Sequence, residues 1–483
     1  MRHWIFFILI VLHPALGYPA TYYVAEAGSN ANNGTSTGTA WLTISHAIRN
    51  STCGDVVNVG GGVYAERVEI AGRDCTSGAK FTLQRYQNEV PVVNRHPLVV
   101  NNSEWIVVDG FIQQGSPGAG VFVHTGSKNI VLKNLEARNN ATNGILVRSN
   151  GVPIDGITIE DSRVHDNRIG ISVGTDRGNR DISNVTIRRV ESYLNGILNG
   201  GSAGGDGLGI SNTDGFIVED SIFRHDRWED GIDLKTGSVN GIIRRNQVFG
   251  NRAGGIWANV AHSNNPGPYS GGFGHVIEDN LVYDNGGPQL AIMSQELGSG
   301  TTFYMQNNRL RALPGANDVI RIFRGHTVVI RNNTLINGNR SITLRCARNI
   351  VVENNIGINA AAESFFITGT SHPCNGFANG LITERNNNWW KSTGGHIIRW
   401  SDGTRYTAAQ LSAYRSASGQ GSGTVSIDPS LADVGSLNFA LRLGSRMIDA
   451  GIANSLLRDY SGLTRPQGAS HDIGAHEFRS APR

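Results

Sequence analysis

Helical periodicity, long apolar runs and a one-sided charge are what this chain has least of. Aromatic residues make up only 7% of it, and formal charge is +3 with no concentrated basic tract. A general nucleic-acid or membrane-surface binder would carry such a tract, so neither partner is expected. Beyond the amino-terminal stretch no segment approaches about 18 uninterrupted apolar residues, so the mature chain is expected to have no membrane span. Cysteine is limited to Cys53, Cys75, Cys346 and Cys374, none in the CxxC spacing of a zinc knuckle. Lysine is rare, with five in the chain against a large excess of arginine.

What is present begins with Arg2 and His3, an apolar stretch from Trp4 to Leu12 and a small-residue exit at Ala15, Leu16 and Gly17. That tripartite pattern marks residues 1–20 as a secretory signal peptide, the alternative being an uncleaved anchor. Export to the extracellular space or periplasm favours disulfides, and the two close spacings favour Cys53–Cys75 and Cys346–Cys374 among three possible pairings. Glycine reaches 62 of 483 residues, which suits many turns and short strands better than a bundle.

From about residue 120 to 400 one pattern recurs: a β-rich run, an Asn or Asp, a second short apolar run, a polar turn, Gly and another alternating strand. "GFIVEDSIFRHDRWEDGIDL" and "HTVVIRNNTLINGNRSITL" are examples, and the cleanest period is 24 residues, from Gly207 to Gly231 to Gly255. Units of this size stack, because none can bury its apolar side alone. A propeller blade needs about 40–45 residues, so 24 is too short for one. Alternation over three to five residues predicts short strands between tight bends, and the bend residues Asn134, Asp161, Asp220, Asn246, Asn280 and Asn354 are expected to form ladders. Thr43 to Asn50 places Ile44, Ala47 and Ile48 on one helical face, suited to plugging the first coil. Thr407 to Arg415 predicts a second short helix, and Asp428 to Phe478 a loop-rich tail. The expected organisation is a β-solenoid over 21–400, including the amino-terminal cap, and a capping segment over 401–483.

The opening "TYYVAEAGSNANNGTSTGTAWLTISHAI" with "GDVVNVGGGVYAERV", and the closing "IDPSLADVGSLNFALRLGSRMIDAG", resemble secreted right-handed parallel β-helix proteins related to polysaccharide lyase family 9. The resemblance implies an all-β, right-handed parallel β-helix over nearly the whole mature chain. These end motifs speak for architecture and only weakly for chemistry.

Aligning coils on the period puts "GDGLGIS" (205–211), "EDGIDLK" (229–235) and "GGIWANV" (254–260) on consecutive rungs. Asp206 then stacks over Asp230, Ile232 and Leu234 point inward, and Asp233 and Lys235 point outward with Glu229 and Asp230 at the entry bend. Four crowded carboxylates repel one another unless a cation or protons intervene, and an oxygen-only set suits Ca2+ better than zinc or copper. The bland alternative is a solvated acidic edge. The calcium motif of polysaccharide lyase family 9 resembles this set, which carries calcium binding onto Asp206, Glu229, Asp230 and Asp233, with Glu229 standing where the family has Asp. Trp257 stands where the family's catalytic lysine is expected, so Lys235 is the substitute base. Its alternative is an ion-pair partner for Asp233, with Arg252 next in line.

Farther along the same face, Trp257, Asn259, Arg321, Arg324 and Arg345 are candidates for gripping an acidic glycan, by indole stacking and guanidinium–carboxylate pairing. The expected activity is β-elimination of an extracellular uronic-acid polysaccharide by a calcium-dependent lyase acting as a monomer. A C5-epimerase, a glycoside hydrolase and a non-catalytic glycan-binding or adhesion rod are the alternatives.

Overall fold

The computed structural model describes residues 19–174, 179–196, 205–259, 274–293, 302–368 and 381–479. Among the described residues three sheets of 14, 14 and 13 strands run along the chain, parallel throughout except for the last strand of one, Arg405–Thr407, which pairs antiparallel. Each coil visits a first, a second and a third sheet in turn, as in Thr213–Glu219, Ile222–Arg224 and Ile232–Leu234. Pairing is residue on residue, with Leu208 opposite Ile232 and Ile232 opposite Ile256. Alternate residues therefore fill a continuous interior: Val218, Phe223, Ile232 and Leu234 are fully buried. Removing each such side chain from water contributes roughly 1.5–3 kcal/mol.

Two columns of polar side chains lie inside the bends. Between the first and second sheets, Asn246 accepts from the Ser221 backbone amide, and Asn280, Asn308, Asn333, Asn355 and Asn387 each accept from the backbone and side-chain amide of the asparagine before it. The sequence expectation holds for Asn246 and Asn280. Asn134, Asp161, Asp220 and Asn354 take a positive φ; Asn134 bonds to Asp109 in the coil before, while Asp161, Asp220 and Asn354 stand one position ahead of the inner column. After the other three the next residue turns inward instead: Ser162, Ser221 and Asn355 accept the backbone N–H groups of Leu135, Val190 and Asn333. A left-handed turn residue projects its side chain away from the bend, so the ladder falls to its successor.

On the outer face of the first sheet, charges alternate rung by rung: Lys133, Glu160, Arg188, Glu219, Arg244 and Glu278 lie in register. Arg188 meets Glu160 at 2.6 Å and Arg244 meets Glu219 at 2.8 Å. A second lane beside it pairs Arg189 with Asp161 and Arg245 with Asp220.

Both ends are closed as the sequence predicts. The helix Ile44–Arg49 buries Ile44, Ala47 and Ile48, with Thr43 capping it and Glu66 accepting from the Ile44 and Ser45 amides. A disulfide joins Cys53 to Cys75. Cys346 is also disulfide-bonded, and its expected partner Cys374 lies outside the described residues. At the other end the helix Leu411–Ser418 packs Tyr414 over the last coil, where buried Glu384 accepts from Thr424, Asn387, Trp389 and Tyr414. The tail then folds back onto the second sheet, placing Leu431, Phe439, Leu441, Met447 and Ile473 against Ile336, Ile356 and Ile358. No helix among the described residues is long and apolar enough to cross a membrane. The expected leader at 1–20 lies almost wholly outside the described residues.

Candidate functional site

The site stands on the third sheet where two coils meet. Asp206 leads into the strand Leu208–Ile210, and Glu229 and Asp230 lead into Ile232–Leu234. Because Ile232 and Leu234 must face the core, Asp233 between them faces out, and Lys235 follows on the same side. Opposite Asp233 in the coil before is Gly209. A Cβ there would come 3.1 Å from Lys235 Cε and 3.4 Å from Asp206 Oδ2, so glycine leaves this space to the charged groups.

One carboxylate oxygen from each of Asp206, Asp230 and Asp233 lies within 4.8 Å of the others. All three are nearly buried, at 2%, 9% and 6% exposure. Glu229 sits at the rim, its Oε2 accepting from the Gly205 amide at 3.4 Å. Asp230 Oδ1 accepts from the Gly254 amide at 2.5 Å, and any side chain at 254 would press on both that oxygen and the Trp257 ring. Burial, then the nearby Asp233 charge, raises the Asp230 carboxyl to about 7 and pushes Asp206 well above the usual carboxylate range.

Lys235 bridges this group, its Nζ 2.8 Å from Asp206 Oδ2 and 2.7 Å from Asp233 Oδ2. Burial alone would lower its pKa, but the two carboxylates overcome that and hold the ammonium form. The ion pair that the sequence left as the alternative role for Lys235 is therefore formed, and with both acids. Arg252 is turned elsewhere, its guanidinium 4.5 Å over the Trp228 ring.

The expected glycan contacts divide. Trp257 is in register directly after Asp233, followed by Ala291 and Arg321 in the same column, roughly 14 Å along at one rung per ~4.8 Å. Asn259 occupies the adjoining column with Met293, Phe323 and Arg345. Arg321 is engaged locally, donating to Asp318 Oδ2 at 3.0 Å. Arg324 lies over Phe323 with its carbon Cζ 5.1 Å from the ring centre. The Nε atoms of Arg324 and Arg345 are buried with no hydrogen-bond partner, which leaves them suited to an anion. Sequence reasoning missed Asp226, Trp228 and Asp318. The first could have been found, since it falls at the bend position that Asn195 and Asn251 hold in neighbouring coils.

Residues 97–266 match the family model for a right handed beta helix region. The chain is a right-handed parallel β-helix. It superposes on the structure of XylC in complex with xylose with a TM-score of 0.58, at 13% identity, over 94% of this chain and 98% of that one. The pectate lyase Pel9A is also similar, with 17% identity over 96% and 98% of the two chains and a TM-score of 0.46. So is the A-module of the Azotobacter vinelandii mannuronan C-5 epimerase AlgE4, with 14% identity over 76% and 90% and a TM-score of 0.41. No curated protein matches the chain by sequence. At these identities the likeness concerns the β-helix alone.

Proposed function

We propose that this β-helix is a calcium-dependent lyase of an extracellular, uronic-acid-containing polysaccharide, exported by its amino-terminal leader. The observation that carries the reading is the convergence of Asp206, Asp230 and Asp233 on one point, with Glu229 at its rim. The donor set fits the ion: every ligand atom is a carboxylate oxygen, none is sulfur or imidazole, and burial makes an uncompensated set costly. The sequence resemblance to polysaccharide lyase family 9 assigns these same four residues to calcium. A bound calcium ion would supply positive charge to stabilise the negative charge that develops on a sugar carboxylate as its C5 proton leaves.

The chain's own residues do the rest. Asp206, Asp230 and Asp233 gather the charge, and the Gly254 amide holds the Asp230 carboxylate in place. Lys235, on the outer face beside Asp233, is our candidate for handling the C5 proton. As an ammonium it has no lone pair, so to act as a base it must first give its own proton to solvent. That requires Asp206 and Asp233 to be engaged elsewhere, so that they no longer hold the charge on it. The C5–H electron pair becomes the C4–C5 double bond as the C4–O bond breaks, and the departing sugar oxygen takes a proton from water, leaving an unsaturated sugar. Trp257 offers an indole to a sugar ring one rung on, and Arg324 and Arg345 offer guanidinium donors to carboxylates farther along.

The test is to incubate the mature protein with pectate, alginate and other uronate polymers, with calcium or chelator, and follow ultraviolet absorbance. A calcium-dependent rise is expected. Chain shortening without absorbance would make it a hydrolase, inversion at C5 without shortening an epimerase, and calcium-dependent retention without any change a binding protein.

A further inference from the structure

The second polar column, between the second and third sheets, contains one member that does not belong chemically. Asn140, Asn167, Asn195, Asp226, Asn251 and Asn285 follow one another up the bends. In the asparagine rungs before Asn285 the side-chain amide donates forward to the next Oδ1, at 2.9 Å from Asn140, 3.3 Å from Asn167, 3.2 Å from Asn195 and 2.9 Å from Asn251, and Asn285 donates to Gln289 Oε1 at 2.8 Å. Several also donate back to a carbonyl one coil earlier, as Asn251 does to Phe223. Asp226 receives as its neighbours do, with Oδ1 accepting from the Asn195 backbone amide at 3.0 Å and from its side chain. Its own backbone amide donates to Asn251 Oδ1 at 3.0 Å.

The other oxygen stands where every neighbour has an N–H donor. A Cβ built on the glycine facing each rung would lie 2.7 Å from Asn167 Nδ2, 2.9 Å from Asn195 Nδ2, 2.6 Å from Asn251 Nδ2 and 2.9 Å from Asn285 Nδ2. At Gly207 the atom so placed, 2.5 Å away, is Asp226 Oδ2. It is buried and without a hydrogen-bond partner. A second lone-pair oxygen pointing at the Asn251 carbonyl oxygen would be repelled, whereas a hydroxyl there restores the missing donor.

We propose that Asp226 takes its place in this column as a neutral carboxylic acid, giving its proton to the Asn251 amide oxygen and so fixing the bend that carries Glu229 and Asp230. Its surroundings support the neutral form. Asn195 and Ser192 lie on the coil below, Asn251 above, and Gly207 and Phe223 alongside. The charged group that acts on it is Arg227, which turns outward to Asp166 at 3.2 Å. Burial accordingly raises the Asp226 carboxyl well above the ordinary range, outweighing its bonds from Asn195. Asp226 is thus a positioning residue, and its relevance to catalysis rests on the calcium reading, though its protonation does not.

The experiment compares urea unfolding of the full chain with that of Asp226→Asn across pH 4 to 9. A carboxyl that is neutral in the fold and ionised when unfolded binds one extra proton in the fold. The unfolding constant of the wild type relative to the variant should then rise about tenfold per pH unit above the ordinary carboxylate range. A ratio independent of pH would overturn the neutral acid. Amide hydrogen exchange over residues 225–231 tests the bend: protection should survive in Asp226→Asn and fall at least about tenfold in Asp226→Leu. Equal protection in both variants would remove the positioning role. Titration with calcium alone separates the two readings: if neither wild type nor Asp226→Asn binds it while the pH profile appears, the metal site falls and Asp226 stands.

Discussion

The outer face of the first sheet and that of the third handle charge in opposite ways. On the first, every acid from Glu160 to Glu278 has a base on the adjoining rung, so stacking coils in register neutralises the lane as it is built. On the third, Asp206, Asp230 and Asp233 converge with Glu229 beside them, and Lys235 is the one ammonium bonded among them. The same parallel register that makes a self-satisfied zipper on one face gathers three aspartates around a single lysine on the other. Alternation of sign reads as architecture, and its local failure marks a carboxylate cluster that could hold an outside cation.

That contrast can be broken from either side. The largest effect is expected at the pocket: Asp233→Ala should weaken calcium binding by about 100-fold or more and abolish calcium-dependent product absorbance, the cost of losing one partner of a buried charge set. Calorimetry with calcium would show it, and an unchanged affinity would move the site elsewhere. Next comes pH. Asp230 is raised to about 7, so it must lose a proton to bind metal. With Asp206 raised as well, calcium affinity should therefore fall by at least about tenfold for each pH unit below 7. Stability of the metal-free protein should run the other way: the Asp230 contribution is complete below the unfolded carboxylate range and lost as pH rises to about 7.

On the zipper face, Arg188→Glu would set three acids in a row between Glu160 and Glu219, lowering stability by roughly 1–2 kcal/mol in urea while leaving calcium affinity unchanged. A loss of calcium binding there would show the faces to be coupled. The smallest change is expected for Arg324→Ala, about threefold weaker retention on an immobilised uronate polymer with turnover of short oligomers unaffected.

Much of this was legible in the residues because a solenoid writes its geometry into a repeat. The inward set Ile232 and Leu234, the outward pair Asp233 and Lys235, and the stacking of Asp206 over Asp230 all follow from period-two alternation and a 24-residue step. The step itself is local: Ile256 pairs with Leu290, a spacing that no strict repeat anticipates, because insertions enter at the bends without disturbing the rungs. What alternation could not give is side-chain direction within a bend. It misplaced three inner-column residues by one, since the left-handed residue and the inward residue are adjacent: Asp161, Asp220 and Asn354 stand just before Ser162, Ser221 and Asn355. It also left open whether Lys235 or Arg252 faces the acids, a matter of rotamer and of the Trp228 ring that draws Arg252 aside.

The returning tail has a mechanical consequence. Asn307 and Asn332 donate to the carbonyls of Arg458 and Asp472, Asn354 donates to that of Ile452 and Asn386 to that of Ala450, while Arg465 and Glu477 form a fully buried pair beneath. One segment is thereby stapled across four successive rungs, so this end of the rod cannot fray one coil at a time and must come apart as a block. Clipping the chain after the helix Leu411–Ser418 would strip that brace and bare Ile336, Ile356 and Ile358, turning a sealed flank into a sticky one.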